Sequence, residues 1–160
     1  MIEHGVMIKG PSLIGKNCEI RKGAYIRENV VMGDGCTIGN SSELKNSILF
    51  DRAEISHFNY VGDSIVAKKG HMAAGSITSN LKLNSSLVTV QMGSVRIPTE
   101  LMKFGAIVGE NVQVGCNVVL NPGSILSRDS VVYPGVIFRG VLGERRIVKL
   151  IQNQTVVDRL

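Results

Sequence analysis

Every sixth residue in the first part of this sequence is aliphatic. The period starts at the second residue and runs without exception through Ile2, Ile8, Ile14, Ile20, Ile26, Met32, Ile38 and Leu44. Glycine follows the aliphatic residue at Gly15, Gly33 and Gly39, and small or β-branched residues stand four places after it. An α-helix cannot use this period, because six residues turn it by about 600° and end on a different face. A short strand followed by a corner can use it, so the sequence predicts a solenoid of short strands.

The period shifts twice and returns after an interruption. The frame moves by one residue after Leu44 and again after Val61, and the period continues to Met72. It resumes at Val108 and runs through Phe138. Three hexads close one triangular coil, so we expect a prism whose coils are hydrogen-bonded ~4.8 Å apart around an aliphatic interior. The 18 glycines, the lack of tryptophan and the 4% aromatic content suit such a narrow interior.

The repeats resemble those of hexapeptide-repeat proteins, which implies an all-β, left-handed parallel β-helix; the hand is implied by the resemblance alone. We expect one β-helix domain made of residues 1–80 and 104–140. Residues 81–103 lack the period and contain strand, turn and strand patterns, which predict an inserted β-hairpin. Residues 141–160 are expected to form a short C-terminal cap, as an amphipathic helix or an irregular segment.

Composition excludes several classes of protein. With 44% hydrophobic and 19% charged residues, the chain of 160 residues has the composition of a folded domain. No run approaches the ~20 apolar residues of a membrane span, and the three cysteines lack a CxxC spacing. We therefore expect a cytoplasmic protein without a disulfide framework or membrane contact. The net charge of +5 suits an anionic partner, but no basic run or aromatic platform indicates nucleic acid.

Residues 18 apart occupy equivalent places in successive coils. Lys9, Arg27 and Lys45 each follow an aliphatic position, which predicts three cations ~5 Å apart on one face. Such a ladder suits a phosphate, although a solvated charged face would have the same spacing. His57 and Tyr60 follow in a later hexad. A neutral imidazole near bound anion suits a general base, although a lone histidine is more often a plain surface residue.

Two segments carry a more specific resemblance. Ile55–Asp63 (ISHFNYVGD) is similar to AGHLTYLGD, and Ala73–Asn80 (AAGSITSN) is similar to GAGTITCN, with no gap between the two blocks. Both motifs belong to the acetyltransferase domain of the bifunctional N-acetylglucosamine-1-phosphate uridyltransferase and glucosamine-1-phosphate acetyltransferase family. The resemblance covers residues 27–80 closely and 106–135 more loosely. It implies acetyl-CoA as co-substrate, no required metal, a phosphorylated amino sugar as acceptor, and a homotrimer with active sites between neighbouring prisms.

The resemblance also implies roles for single residues. His57 matches the catalytic base of the family, and Glu43 matches a carboxylate that would hold His57 in its basic tautomer. Four residues match side chains that bind the phosphosugar: Arg27, Lys45, Tyr60 and Asn80.

Other positions concern the cofactor or depart from the family. Acetyl-CoA would run past Ala74, Cys116 and Pro134, and a backbone N–H near Ala74 would stabilise the thioester oxyanion. Cys116 replaces a serine of the family at this place. His71 stands where the family has a substrate-binding asparagine, and Leu81 replaces a tyrosine. These departures leave the identity of the acceptor sugar open.

The leading expectation is an N-acetyltransferase acting on glucosamine 1-phosphate or a similar sugar. No glycine-rich nucleotide loop precedes the repeats, so we expect it without the uridyltransferase domain that links this family to UDP-N-acetylglucosamine pyrophosphorylases. A non-catalytic prism that binds a phosphosugar or serves as a regulatory or scaffold subunit is the alternative, since His71 and Leu81 change the pocket. A γ-class carbonic anhydrase is a third possibility, but the only histidines, His4, His57 and His71, are poorly spaced for its metal site.

Overall fold

The six-residue repeat builds a triangular solenoid. A computed structural model describes residues 1–159, and in that range the chain forms strands and no helix. Each side of the solenoid is a seven-stranded parallel sheet, and a separate two-stranded sheet leaves it. No helix in this range is long and apolar enough to cross a membrane.

The three sides are named here face 1, face 2 and face 3. Face 1 contains Met7–Ile8 (β1), Tyr25–Ile26 (β4), Glu43–Lys45 (β7), Tyr60–Gly62 (β10), Ile77–Thr78 (β13), Val119–Leu120 (β18) and Ile137–Phe138 (β21). Face 2 contains Ser12–Ile14 (β2), Val30–Met32 (β5), Ser47–Leu49 (β8), Ile65–Val66 (β11), Ala106–Val108 (β16), Ser124–Leu126 (β19) and Val141–Leu142 (β22). Face 3 contains Glu19–Ile20 (β3), Thr37–Ile38 (β6), Glu54–Ile55 (β9), His71–Met72 (β12), Gln113–Val114 (β17), Val131–Val132 (β20) and Ile147–Val148 (β23).

The register between coils follows the sequence period. Ile26 pairs with Leu44, 18 residues later, whereas Leu44 pairs with Val61, 17 residues later. The one-residue frame shifts are therefore short coils of the same solenoid. Val66 pairs with Val108, because the intervening residues leave the prism and return. The expected all-β, left-handed parallel β-helix is confirmed.

Aliphatic repeat positions fill the interior of the prism. The largest fully buried side chains include Ile20, Ile26, Ile38, Leu44, Leu49, Ile55, Met72, Leu120 and Leu126. Burial of each such side chain stabilises the fold by ~1.5–3 kcal/mol. Small residues, Cys18, Ala24 and Cys36 among them, fill the corners of the same cluster. In the first coil Ile2 and Ile8 are exposed, whereas the equivalent residues of the next coil, Ile20 and Ile26, are fully buried.

The expected hairpin is present within residues 81–103. Thr89–Met92 (β14) pairs antiparallel with Val95–Pro98 (β15). The turn contains Gly93 at φ 59°, a left-handed conformation that glycine adopts easily. β14 packs against β19 and β22 of face 2, so the hairpin lies along the later coils of the solenoid.

The solenoid extends further than the sequence analysis predicted. The expected start of a cap at residue 141 is wrong, because β22 and β23 add further strands to faces 2 and 3. Leu142 and Val148 keep the six-residue spacing and pack against the core, which explains the extension. Residues 149–159 form neither helix nor strand, and residue 160 lies outside the described range.

Candidate active site

Three basic residues stack along face 1. Ile8 pairs with Ile26, and Ile26 with Leu44, so the residues that follow them, Lys9, Arg27 and Lys45, are also in register. We call this set the cation ladder. The structure thus places the residues in adjacent coils, as their spacing of 18 predicts.

The rungs of the cation ladder differ in their partners. Lys9 forms an ion pair with Glu28. The Arg27 guanidinium donates to the Glu43 carboxylate at 2.9 Å and lies 3.6 Å from Glu28. Lys45 has no carboxylate partner within residues 1–159. Lys45 is therefore the rung whose charge is most available to an anionic ligand.

The corner between faces 3 and 1 carries a second alignment. Four residues that the sequence analysis singled out stack there in successive coils, and we call them the corner column: His57, Ala74, Cys116 and Pro134. Backbone hydrogen bonds link the four residues from coil to coil. The N–H groups of Gly75, Asn117 and Gly135 donate to the carbonyl oxygens of His57, Ala74 and Cys116, at 2.9, 3.0 and 2.9 Å respectively. The structure thus brings the expected base into line with the three residues expected to contact acetyl-CoA.

Ala74 offers an unused hydrogen-bond donor in this column. The N–H groups of its neighbours, Ala73 and Gly75, donate to carbonyl oxygens at 2.9 Å. The Ala74 N–H has no acceptor within residues 1–159, and the residue is partly exposed. A free backbone N–H at a partly open corner is the type of group that stabilises an oxyanion.

A buried asparagine holds the backbone around His57. Asn59 Oδ1 accepts from the His57 N–H at 2.9 Å, while its Nδ2 donates to the Ala73 carbonyl at 2.8 Å and to Ser76 Oγ at 2.9 Å. Asn59 therefore couples the turn at His57 to the turn that carries Ala74. The motif Ile55–Asp63 contains Asn59, but the spacing in sequence gives no sign of these contacts.

The expected contact between Glu43 and His57 is not found within residues 1–159. Glu43 accepts a hydrogen bond from Arg27 instead. The His57 side chain is exposed at the corner, with its ring 6.3 Å from the ring of Phe58. In the described chain, Glu43 therefore orients Arg27 rather than His57.

Asp63 organises the polar end of the site. Its carboxylate accepts hydrogen bonds from Asn46 Nδ2, at 2.7 Å, and from Asn80 Nδ2. The same Asn80 nitrogen donates to the Tyr60 hydroxyl oxygen at 3.2 Å. Because that oxygen is an acceptor here, the Tyr60 O–H remains free to donate to a ligand. Partial burial raises the pKa of Tyr60, so the hydroxyl keeps its proton near neutral pH.

His71 lies apart from the other sugar-site candidates. It belongs to β12 of face 3, whereas Tyr60 and the cation ladder belong to face 1. His71 Nε2 is 2.8 Å from Ser56 Oγ. It also borders a small apolar cleft of about 250 Å³ that includes Tyr133 and Pro134. Within one chain, His71 and the cation ladder thus lie on opposite sides of the corner column.

An apolar groove lies elsewhere on the molecule. It has a volume of about 520 Å³ and runs along face 2 beside Leu13, Val31 and Ile48. These three side chains are exposed and in register on adjacent strands. The groove contains apolar surface but not His57, so we separate it from the candidate active site.

No group of three or more His, Cys, Asp or Glu side chains within residues 1–159 is placed to hold a metal ion. A metal site of the kind considered in the sequence analysis would therefore need ligands from a second chain.

The repeating coils, the left-handed helix and the polar corner define a hexapeptide-repeat protein. Residues 8–132 match the family model of the GMPPB C-terminal domain. The chain belongs to this family.

Curated relatives and a solved structure agree with this assignment. The bifunctional protein GlmU of Methanococcus vannielii is 38% identical over 109 residues, which are 68% of this chain and 26% of that protein. A bifunctional sugar-1-phosphate nucleotidylyltransferase/acetyltransferase of Sulfurisphaera tokodaii is 33% identical over an alignment of 167 positions, which covers 93% of this chain and 42% of that protein. The chain spans less than half the length of these two relatives.

The solved structure shares the fold. PerB from Caulobacter crescentus, in complex with CoA and GDP-perosamine, matches with a TM-score of 0.58 and 20% identity, covering 81% of this chain and 51% of that chain.

Proposed function

We propose that this protein is an acetyltransferase that moves the acetyl group of acetyl-CoA to the amine of a phosphorylated amino sugar such as glucosamine 1-phosphate. The observation that carries the proposal is the corner column, in which His57 lines up with Ala74, Cys116 and Pro134 beside the cation ladder. The Sulfurisphaera tokodaii relative, which has acetyltransferase in its name, and the CoA bound by PerB support the same class of reaction.

The cation ladder and its neighbours would bind the acceptor. Lys45 supplies an unpaired positive charge, and Arg27 is held in place by Glu43. The Tyr60 hydroxyl, oriented by Asn80, donates to a phosphate oxygen. Charge-assisted hydrogen bonds of this kind are typically stronger than neutral ones, which favours a phosphorylated sugar over a neutral one.

The chemical step needs one base and one oxyanion donor. The amine nitrogen attacks the thioester carbonyl carbon while His57 accepts the amine proton, and the C–S bond then breaks to release CoA. The free Ala74 N–H stabilises the negative charge on the carbonyl oxygen. General-base assistance of this kind contributes about 10²–10⁴-fold to the rate. The scheme requires no metal.

A homotrimer is part of the proposal. Leu13, Val31 and Ile48 form an exposed aliphatic strip on face 2, and exposed apolar strips of this kind mark protein interfaces. We expect three prisms to associate so that a neighbouring subunit completes the cleft beside His57. Sedimentation equilibrium should give three times the chain mass, and Ile48→Glu should lower it; a monomeric wild type would contradict this part.

The first test measures CoA release from acetyl-CoA in the presence of glucosamine 1-phosphate. His57→Ala should lower turnover by about 10²–10⁴-fold at equal trimer content. His4→Ala, which changes an exposed histidine three coils before His57, is the matched control and should leave turnover unchanged. Equal turnover in the His57→Ala and wild-type proteins would sink the proposed mechanism.

The non-catalytic prism is the alternative, and the pairing of Glu43 with Arg27 instead of His57 favours it. The same experiment separates the two functions. Saturable acetyl-CoA binding without turnover of any amino sugar phosphate, or no binding of acetyl-CoA at all, would favour the binding role.

A further inference from the structure

One corner of the solenoid contains an unexpected aromatic residue. At the corner between faces 3 and 1, one residue in each of seven coils has a positive φ, in the order Gly5, Gly23, Ser41, Phe58, Gly75, Asn117 and Gly135. Glycine, asparagine and serine are residues that accept or often occupy this left-handed region. Phe58, at φ 52°, is the one bulky apolar side chain among them.

Phe58 does not owe this position to the packing of the core. Its side chain is 64% exposed, and the aromatic ring that it meets is that of His57, 6.3 Å away. An exposed phenylalanine in a left-handed turn stores backbone strain and gains little burial in return. Residues in strained backbone conformations cluster at ligand sites, so a ligand is a candidate to cover the Phe58 ring.

We propose that Phe58 is the apolar wall of the acceptor subsite and contacts the nonpolar C–H face of the sugar ring; this inference rests on the proposed function. His57, the preceding residue, takes the proton from the sugar amine, so a ring whose amine reaches His57 lies beside Phe58. Lys45 and Tyr60 hold the phosphate at the other end of the sugar. Phe58 then sets the orientation and the selectivity for a ring-shaped acceptor, while the polar residues select its charge.

The proposal predicts opposite effects on stability and on activity. Phe58→Gly relieves the left-handed strain, so Tm should stay the same or rise. The same change removes the apolar wall, so kcat/KM for the sugar phosphate should fall about 10-fold with KM for acetyl-CoA unchanged. Phe58→Leu should restore most of the loss, since it keeps an apolar side chain.

Ser41→Gly is the matched control, because it makes the same backbone change at the same corner one coil earlier. It should leave kcat/KM unchanged. A Phe58→Gly protein that loses Tm or trimer content in parallel with activity would overturn the proposal and assign Phe58 to folding or assembly.

A second variant tests the placement without catalysis. The chain contains no tryptophan, so Phe58→Trp introduces a single indole reporter at the site. Glucosamine 1-phosphate alone should change its emission saturably, whereas glucose 1-phosphate, which differs in having a hydroxyl in place of the amine, should bind more weakly. Turnover by this variant without any emission change would overturn the role of Phe58. Absence of turnover in the wild type, with the emission change present, would instead overturn the proposed function and leave the sugar contact standing.

Discussion

Faces 1 and 2 of the prism share one backbone but present different surfaces. Both are seven-stranded parallel sheets whose inward residues are aliphatic. On face 1 the outward residues include the cation ladder, Glu43 and Tyr60, whereas on face 2 they are aliphatic, as at Leu13 and Val31. The inward positions therefore determine the fold, and the outward positions are free to specialise.

The largest effect should come from an inward position. Ile55 is fully buried in the interior, so Ile55→Ala removes packed methyl groups and leaves a cavity. The free energy of unfolding should fall by ~2–5 kcal/mol, as measured by urea denaturation. Ile137→Ala on face 1, where the side chain is 70% exposed, should change it by less than about 0.5 kcal/mol. Similar losses at both positions would contradict the division between inward and outward residues.

An outward charge should affect binding without affecting stability. Lys45→Ala should raise the KM for the sugar phosphate by about 10–100-fold, because it removes a charged donor worth ~1.5–3 kcal/mol. Tm should stay unchanged. Lys16→Ala, an exposed lysine at another corner, is the control and should leave steady-state kinetics as in the wild type. A KM that does not respond to Lys45→Ala would remove the cation ladder from the site.

Asp63 should act through its neighbours and have a smaller effect. Asp63→Asn replaces one of two acceptor oxygens by an NH₂ group that faces a donor, so Asn80 and Tyr60 lose their fixed positions. KM for the sugar phosphate should rise about 5-fold while kcat stays nearly constant. The control is Asp51→Asn. The Asp51 carboxylate accepts a hydrogen bond from the Asp34 N–H at a different corner, so this variant shows the effect of weakening a turn away from the site. A fall in kcat at constant KM would exclude a positioning role.

The smallest expected effect concerns the accessibility of the three cysteine thiols to a labelling reagent. Cys116 is exposed in the corner column, whereas Cys18 and Cys36 are buried in the prism. Burial raises the pKa of the Cys36 thiol to about 11, which keeps it protonated and unreactive. A thiol reagent at pH 8 should label one cysteine of the native chain quickly and all three after denaturation. Acetyl-CoA should slow the labelling of Cys116; rapid labelling of all three thiols in the native state would show that the interior is open.

The repeat made most of the fold predictable. Hydrophobic residues at a six-residue spacing leave few alternatives to a solenoid, and the two frame shifts appear as coils of 17 residues. The C-terminal strands were missed because Leu142 follows Phe138 by four residues instead of six, so Leu142 and Val148 lie outside the earlier frame and pair with residues 16 positions before them. The many charged residues around them suggested an amphipathic helix or an irregular cap instead. The hairpin was predictable from its own strand and turn pattern.

For the candidate site, the sequence predicted which residues stack in successive coils better than it predicted their side-chain hydrogen bonds. Spacing placed Arg27 above Lys45, and the motif placed His57 near Ala74. The pairings of Glu43 with Arg27 and of His71 with Ser56 depend on which way exposed side chains turn, and the repeat does not constrain that choice. The bonds made by Asn59 cross between coils, so they could not be derived from a spacing within one motif.

The looser packing of the first coil has a consequence for local unfolding. Coils of a solenoid contact their immediate neighbours, and coils with few buried side chains are expected to open most easily. Ile8, which precedes Lys9, is exposed, whereas Ile26 and Leu44, which precede Arg27 and Lys45, are fully buried. Among the three residues of the cation ladder, amide hydrogen exchange should therefore be fastest at Lys9 and slowest at Lys45. The cation ladder thus runs from a loosely packed coil into well-packed backbone at Lys45, the residue without a carboxylate partner in the described chain.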